Sequence, residues 1–144
     1  MGLVYWLLSM FLALFLFTSD MTHREANQAS ENAVSENLQR ARQTVQYINT
    51  INDYLYDHPQ TSGVLSDSVL GFTSVPSLTH IIQSSRVFVY QPDRLGLMGA
   101  LTTVARNSAL LGHVKNRRLI DNQGNDMQVT VPDVIPDTYL VYLN

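Results

Sequence analysis

The sequence predicts an α+β protein: an N-terminal transmembrane helix and a long stalk helix, followed by a small domain with an antiparallel sheet and a shorter helix. Three observations carry that reading. Residues 1–18 contain no charged side chain, residues 25–57 contain neither Gly nor Pro, and short apolar runs separated by tight turns begin at Arg86. Helices grouped ahead of closely spaced strands point to α+β rather than to an alternating order, and the short turns point to antiparallel pairing.

Between Leu3 and Phe17 only Ser9 interrupts a run of Leu, Val, Tyr, Trp, Met, Ala and Phe. As a helix, residues 2–19 reach roughly 27 Å, enough to cross a hydrocarbon core of about 30 Å with small adjustment at the ends. Leu3, Val4, Trp6, Leu7, Leu8, Phe11, Leu14, Phe15 and Phe17 are the candidate membrane-anchor residues, and the lipid bilayer is their expected partner. A secretory signal peptide normally carries Lys or Arg before its apolar core and a small-x-small cleavage site after it. Here only the α-amine precedes the core, and Phe17 stands where a small residue should precede cleavage after Ser19. An uncleaved anchor is therefore expected. Myristoylation would need Ser or Thr where Trp6 stands. A pilin leader fits no better, with no basic leader and no acidic residue inside the apolar stretch. Residues 20–39 hold Arg24 against Asp20, Glu25, Glu31 and Glu36, fewer positive charges than a cytoplasmic flank usually carries. That bias favours a cytoplasmic N-terminus and an exported body. The absence of Cys excludes structural disulfides without naming a compartment.

Beyond the anchor, about 125 residues suffice for a helix and one compact domain. A net charge of −3 disfavours nucleic acid as a partner, since that would ask for a basic face. Three segments are expected: residues 1–19 as anchor, 20–58 as a stalk or long amphipathic helix, and 59–144 as an α+β domain packed on the second half of that helix. Thr22-His23-Arg24-Glu25 has the form of a capping box, so a helix is expected to begin or resume there. Pro59 disfavours helical geometry at His58 and sets the end. Residues 26–33 are small and polar, as suits a solvated stalk. From Val34 onward, Val34, Leu38, Ala41, Val45, Ile48 and Leu55 recur at alternating spacings of four and three, with Asn52 in the slot before Leu55. Tyr47, Ile51 and Tyr54 widen this stripe into a face too broad for a two-stranded coil and suited to lying on a sheet. Val34, Leu38, Ala41, Val45, Ile48, Ile51 and Leu55 thus form a candidate packing or partner seam, either domain core or a homo-oligomer interface. The few heptads, and Asn52 standing at a seam position, favour core.

Residues 60–78 are punctuated by Gly63, Gly71 and Pro76 and admit only short helical turns, one capped by Ser66 ahead of Asp67. Arg86-Val87-Phe88-Val89-Tyr90 reads as a strand closed by Gln91-Pro92-Asp93. Leu97, Met98, Leu101, Val104 and Ala105 give a shorter helix over residues 95–106. Further strands are expected over 110–115 and 118–120 about a tight Asn116-Arg117 turn, over 127–131 after a longer turn at 121–125, and over 139–143.

No catalytic, metal-binding or cofactor-binding constellation is found. His23, His58, His80 and His113 share no metal-ligand spacing, and each reads as a surface or junction residue. No Ser lies in G-x-S-x-G, and a Cys nucleophile is missing. Gly96-Leu97-Met98-Gly99 lacks the Lys of a phosphate loop, so close helix packing explains its glycines. Residues 121–126 lack the acidic alternation and closing Glu of a calcium loop and read as a hairpin turn. Lys115, Arg117 and Arg118 gather at one turn, as solvated strand-end charge or as a surface for an acidic partner or lipid head groups.

Several segments together carry a family likeness. They are Tyr54-Leu55-Tyr56-Asp57-His58-Pro59, Thr61-Ser62-Gly63, Arg86-Val87-Phe88-Val89-Tyr90, Gly96-Leu97-Met98-Gly99-Ala100-Leu101, Asn107-Ser108-Ala109-Leu110-Leu111-Gly112, Asn125-Asp126, Val131-Pro132 and Ile135-Pro136-Asp137. In this series the chain resembles the PilM family of type IV pilus systems on conjugative plasmids. The resemblance covers most of the chain and rests on packing and turn residues. It implies a non-enzymatic inner-membrane protein that helps to build the thin pilus used in mating, within the pilin transport apparatus or basal body. Its partners would be other pilus-assembly proteins, and no cofactor is implied. The placement implied is single-pass, with a cytoplasmic N-terminus and a periplasmic C-terminal domain. The actin-like cytoplasmic protein of the same name is a different family, whose length and nucleotide-binding motifs this chain lacks. Two alternatives stay open: a minor pilin-like subunit, because an apolar helix ahead of a sheet is also pilin architecture, and a membrane-anchored enzyme.

Overall fold

The computed structural model describes residues 2–73, 75–106 and 110–143. Helix α1 (Gly2–Asp57) runs unbroken through the expected junction at Thr22. The capping box does not form, because Thr22 is interior and its Oγ1 donates to the Thr18 carbonyl at 2.9 Å. Nothing after Gly2 removes a backbone donor or frees φ, so helix propagation simply continues past this sequence signature. The far end falls at Asp57, ahead of Pro59.

The chain divides into two compact units, residues 1–36 and 37–144. In the first unit every described residue is helical and exposed. The second contains the remainder of α1 followed by β1 (Ser62–Gly63), α2 (Asp67–Leu70), β2 (Thr79–Gln83), β3 (Arg86–Gln91), α3 (Leu97–Val104), β4 (Leu111–Lys115), β5 (Arg118–Ile120), β6 (Asp126–Thr130) and β7 (Leu140–Leu143). The fold is therefore α+β. Its strands form one seven-stranded sheet in the order β1-β2-β3-β7-β4-β5-β6. Every neighbouring pair is antiparallel. The crossover from β3 through α3 to β4 leaves a slot that β7 fills.

Two hairpins close through two-residue turns whose central residues are both left-handed: Ser84 and Ser85 (φ +53° and +61°), and Asn116 and Arg117 (φ +50° and +61°). This handedness matches the twist of paired strands. Between β5 and β6 the register opens, with Arg118 opposite Thr130 but Ile120 opposite Asp126. Gln128 absorbs the excess with a φ of +59°.

Three apolar clusters hold the second unit together. Tyr47, Ile48 and Ile51 of α1 pack with Leu65, Leu70, Leu78, Ile82, Val87 and Val89. Ala41 of α1 packs with Leu97, Met98 and Leu101 of α3 and with Leu111 and Leu140. A third cluster joins Phe88, Val114, Leu119, Val131, Ile135, Val141 and Leu143. Strand β3 thus supplies Val87 and Val89 to one cluster and Phe88 to another, which explains why its apolar run is nearly continuous. Gly112 lies where β5 approaches most closely, since an added Cβ would sit 2.6 Å from the Ile120 carbonyl oxygen.

Several sequence expectations are corrected in detail. Strand β2 lacks a strand signature because the inward positions of Thr79-His80-Ile81-Ile82-Gln83 are His80 and Ile82, so a polar residue interrupts the apolar alternation. Ser66 precedes α2 in an extended conformation, but its side chain makes no cap and pairs instead with the Ser68 hydroxyl at 3.0 Å. Helix α3 is two residues shorter at each end than the apolar spacing suggested. Asn107, Ser108 and Ala109, quoted for the family likeness, lie outside the described residues.

Candidate partner-binding surfaces

The buried face of α1 is partly polar, and its polar groups fasten the helix to the sheet. Asn37, Thr44, Tyr47 and Ile51 accompany Ala41 and Ile48 on this face. Arg40 Nε donates to Gln91 Oε1 at 2.9 Å, Gln91 Nε2 donates to Thr44 Oγ1 at 2.8 Å, and Thr44 Oγ1 donates to the Arg40 carbonyl at 2.9 Å. The circuit is closed, which satisfies the buried Gln91 amide and Thr44 hydroxyl. Arg40 also donates through Nη2 to the Pro76 carbonyl at 2.6 Å, and burial followed by nearby Arg94 lowers its pKa from the ordinary value. Asn37 Nδ2 donates to the Leu95 carbonyl at 2.8 Å. Gly96 is left-handed at φ +84°, and a Cβ added there would come within 3.0 Å of the Asn37 Nδ2. Its partner Gly99 has nothing within 4 Å, so close helix packing accounts for the first glycine of that pair alone.

His80 is a core residue, 2% exposed, and not the surface or junction group its sequence context suggested. The Leu65 N–H donates to its Nε2 at 2.9 Å. The ring proton therefore belongs on Nδ1, which lies 2.7 Å from the Tyr47 hydroxyl. Burial holds the His80 pKa below its ordinary value, partly opposed by Asp67. The Tyr47 hydroxyl is pushed up to about 12, chiefly by burial and then by Asp67 and Tyr90. A sequence reading had no signal for this pair, because Tyr47 and His80 are separated by the whole loop region.

The seam residues do not share one environment. Ala41, Ile48 and Ile51 are buried, Leu38, Val45 and Leu55 are half-buried, and Val34 is exposed in the first unit. The buried face is rotated toward Asn37, Thr44 and Tyr47, polar or amphipathic residues that an apolar-spacing count passes over. The anchor residues Leu3, Val4, Trp6, Leu7, Leu8, Phe11, Leu14, Phe15 and Phe17 are each more than half exposed. They lie on a helix long and apolar enough to cross a membrane.

Among the described residues no group of three His, Cys, Asp or Glu could hold a metal ion. Asp121 spends its carboxylate on the turn, accepting from the Gln123 and Asn125 N–H groups at 2.8 Å, and these bonds lower its pKa. The basic turn is largely compensated: Arg117 pairs with Asp133 and Arg118 with Asp126. A groove of about 410 Å³ remains between the β2–β3 hairpin, with Gln83, Ser84, Arg86 and Phe88, and residues 128–130 of β6.

An exposed apolar helical segment and a helix-braced antiparallel sheet define the class of an α+β protein with a long N-terminal helix. The PilM family profile matches residues 10–143, and the chain belongs to that family. It is a pilus-related protein. The crystal structure of a PilM protein from Escherichia coli B7A is similar at 41% identity with a TM-score of 0.67, covering 76% of this chain and 92% of that one. A PilM protein from Pseudomonas aeruginosa 2192 aligns at 24% identity with a TM-score of 0.47, covering 76% and 93%. No curated protein matches.

Proposed function

We propose that this chain is a non-enzymatic, single-pass inner-membrane component of a type IV pilus apparatus used in conjugation. Residues 2–19 would span the bilayer with the N-terminus cytoplasmic, and residues 37–144 would meet other pilus-assembly proteins on the periplasmic side. The observation that carries this reading is the exposed apolar surface from Leu3 to Phe17 on the same helix that packs into the PilM-type body. Its mechanism would be positional. Confinement to the membrane surface raises the body's effective concentration for partners held there, without any chemical step. The body lends itself to that use because its polar latches fix the helix on the sheet and so present a rigid surface.

The test is affinity purification of the detergent-extracted full chain from cells expressing the whole pilus operon, compared with cells lacking the gene. Specific recovery of other pilus-assembly proteins, with loss of pili on deletion, is the expected result. Normal piliation and mating without the gene would refute the reading. An apolar helix leading into an antiparallel sheet also suits a minor pilin; recovery of the chain in sheared pili would favour that alternative.

A further inference from the structure

We propose that the groove between the β2–β3 hairpin and the bulge of β6 is a docking site for an extended, acidic segment of a partner protein, with Arg86 as its anion-binding group. Three observations converge there. The first is charge: Arg86 is exposed and forms no ion pair among the described residues, whereas Arg117, Arg118 and Arg24 all do. The groove around it is lined by carboxamides, hydroxyls and apolar groups, and no carboxylate lines it. The donors of Gln83, Gln128, Ser84 and Thr130 complement a carboxylate that Arg86 would hold by charge-assisted hydrogen bonds.

The second observation is shape. Phe88 and Val129 give the groove an apolar element between its polar lips, which suits a chain that alternates apolar and acidic side chains. The third is backbone conformation. Ser84 on one lip and Gln128 on the other both hold a positive φ without being glycine. Such conformations persist only where the surroundings fix them. At Gln128 the fixing group is Asp126, whose Oδ1 accepts the Gln128 N–H at 2.7 Å while its Oδ2 accepts Arg118 Nε at 3.0 Å. That bulge turns Gln128 to the groove.

The proposal rests on the pilus-assembly reading only for the identity of the partner. Its test uses the full chain in detergent micelles, labelled with ¹⁵N, and three capped octapeptides: alternating valine and glutamate, valine and glutamine, and valine and lysine. Saturable shifts of the Arg86 Nε–H and of the Gln83 and Gln128 side-chain amides are expected with the glutamate peptide. The glutamine peptide should bind about tenfold more weakly, and Arg86→Gln should remove that difference. Arg86→Glu should reverse the preference toward the lysine peptide, a result that mere loss of folding cannot produce. Equal binding of the three peptides, shifts confined to other surfaces, or an unchanged glutamate preference in Arg86→Gln would overturn the proposal. Shifts that depend on protein concentration without peptide would point to a second copy and overturn it as well. Pili that survive deletion of the gene would refute the assembly reading while leaving the peptide result intact.

Discussion

A methyl group added at Gly112 would meet the Ile120 carbonyl oxygen at 2.6 Å and the Leu119 Cγ at 2.8 Å. Both neighbours belong to a paired strand, and Leu119 is fully buried, so room can come only from moving backbone. Gly112→Ala is expected to cost about 2 kcal/mol, lowering Tm by roughly 10 °C in thermal unfolding of the detergent-solubilised chain. Gly99→Ala is the contrast: it is helical with open space around it, and removal of a flexible residue should add about 0.5–1 kcal/mol. Equal melting of the two variants would refute the close approach of β5. His80 supplies a pH dependence. Its folded-state pKa lies below 6.5, so the unfolded chain binds the extra proton more readily as pH falls. The stability it confers is complete above the unfolded value, near 6.5, and declines as pH drops toward the folded value. Protonation at Nε2 would also set two donors, that nitrogen and the Leu65 N–H, against each other. Tm measured from pH 7.5 to 5 should fall for the native chain, and more gently for His80→Asn. Parallel curves would remove His80 as the cause. The lowered carboxyls of Asp121 and Asp126 titrate further into acid and do not account for that window.

At the scale of elements, α1 has two regimes that one substitution in each can separate. Ile48 is 1% exposed in the largest apolar cluster, and Ile48→Asp would bury a carboxylate at a cost of several kcal/mol, comparable with the stability of a small domain. Ala29 is exposed, and Ala29→Asp should change stability by less than about 0.5 kcal/mol. Thermal unfolding with piliation scored in parallel decides between core and seam: loss of pili without loss of melting temperature at Ile48 would make it a partner contact. What the sequence disclosed follows from what each element depends on. Arg118–Ile120, the Asn116-Arg117 turn and the end of α1 before Pro59 rest on local spacing and turn chemistry, and these are legible. Strand β2 was not, because His80 gains its buried place from Tyr47 and Leu65, partners remote in sequence. The polar latch of Arg40, Thr44 and Gln91 was equally hidden, since an Arg or Gln looks solvent-facing until its partners are known. The groove was invisible for the same reason: its lining comes from two stretches far apart along the chain, Gln83 to Phe88 and Gln128 to Thr130, which only the folded sheet brings together.

For the whole molecule, the membrane reading makes two demands that solution measurements can meet or deny. The chain should resist alkaline carbonate extraction and retain residues 1–19 by intact mass, and loss of those residues would indicate a processed, soluble form. A reporter active only after export, fused after Asn144, should be active, whereas activity of a cytoplasm-only reporter there would reverse the orientation. The sheet order has a further consequence, one that concerns time. Strand β7 joins β3 to β4 and carries Leu140, Val141 and Leu143 into the apolar clusters, yet it comes last in chain order among the strands of this sheet. Without it, the strand order leaves two sets, β1-β2-β3 and β4-β5-β6, each with an unpaired inner edge. Such edges recruit whatever extended chain arrives first. Vectorial emergence of the chain therefore leaves both inner edges open until β7 arrives, and completion of the sheet waits on that strand.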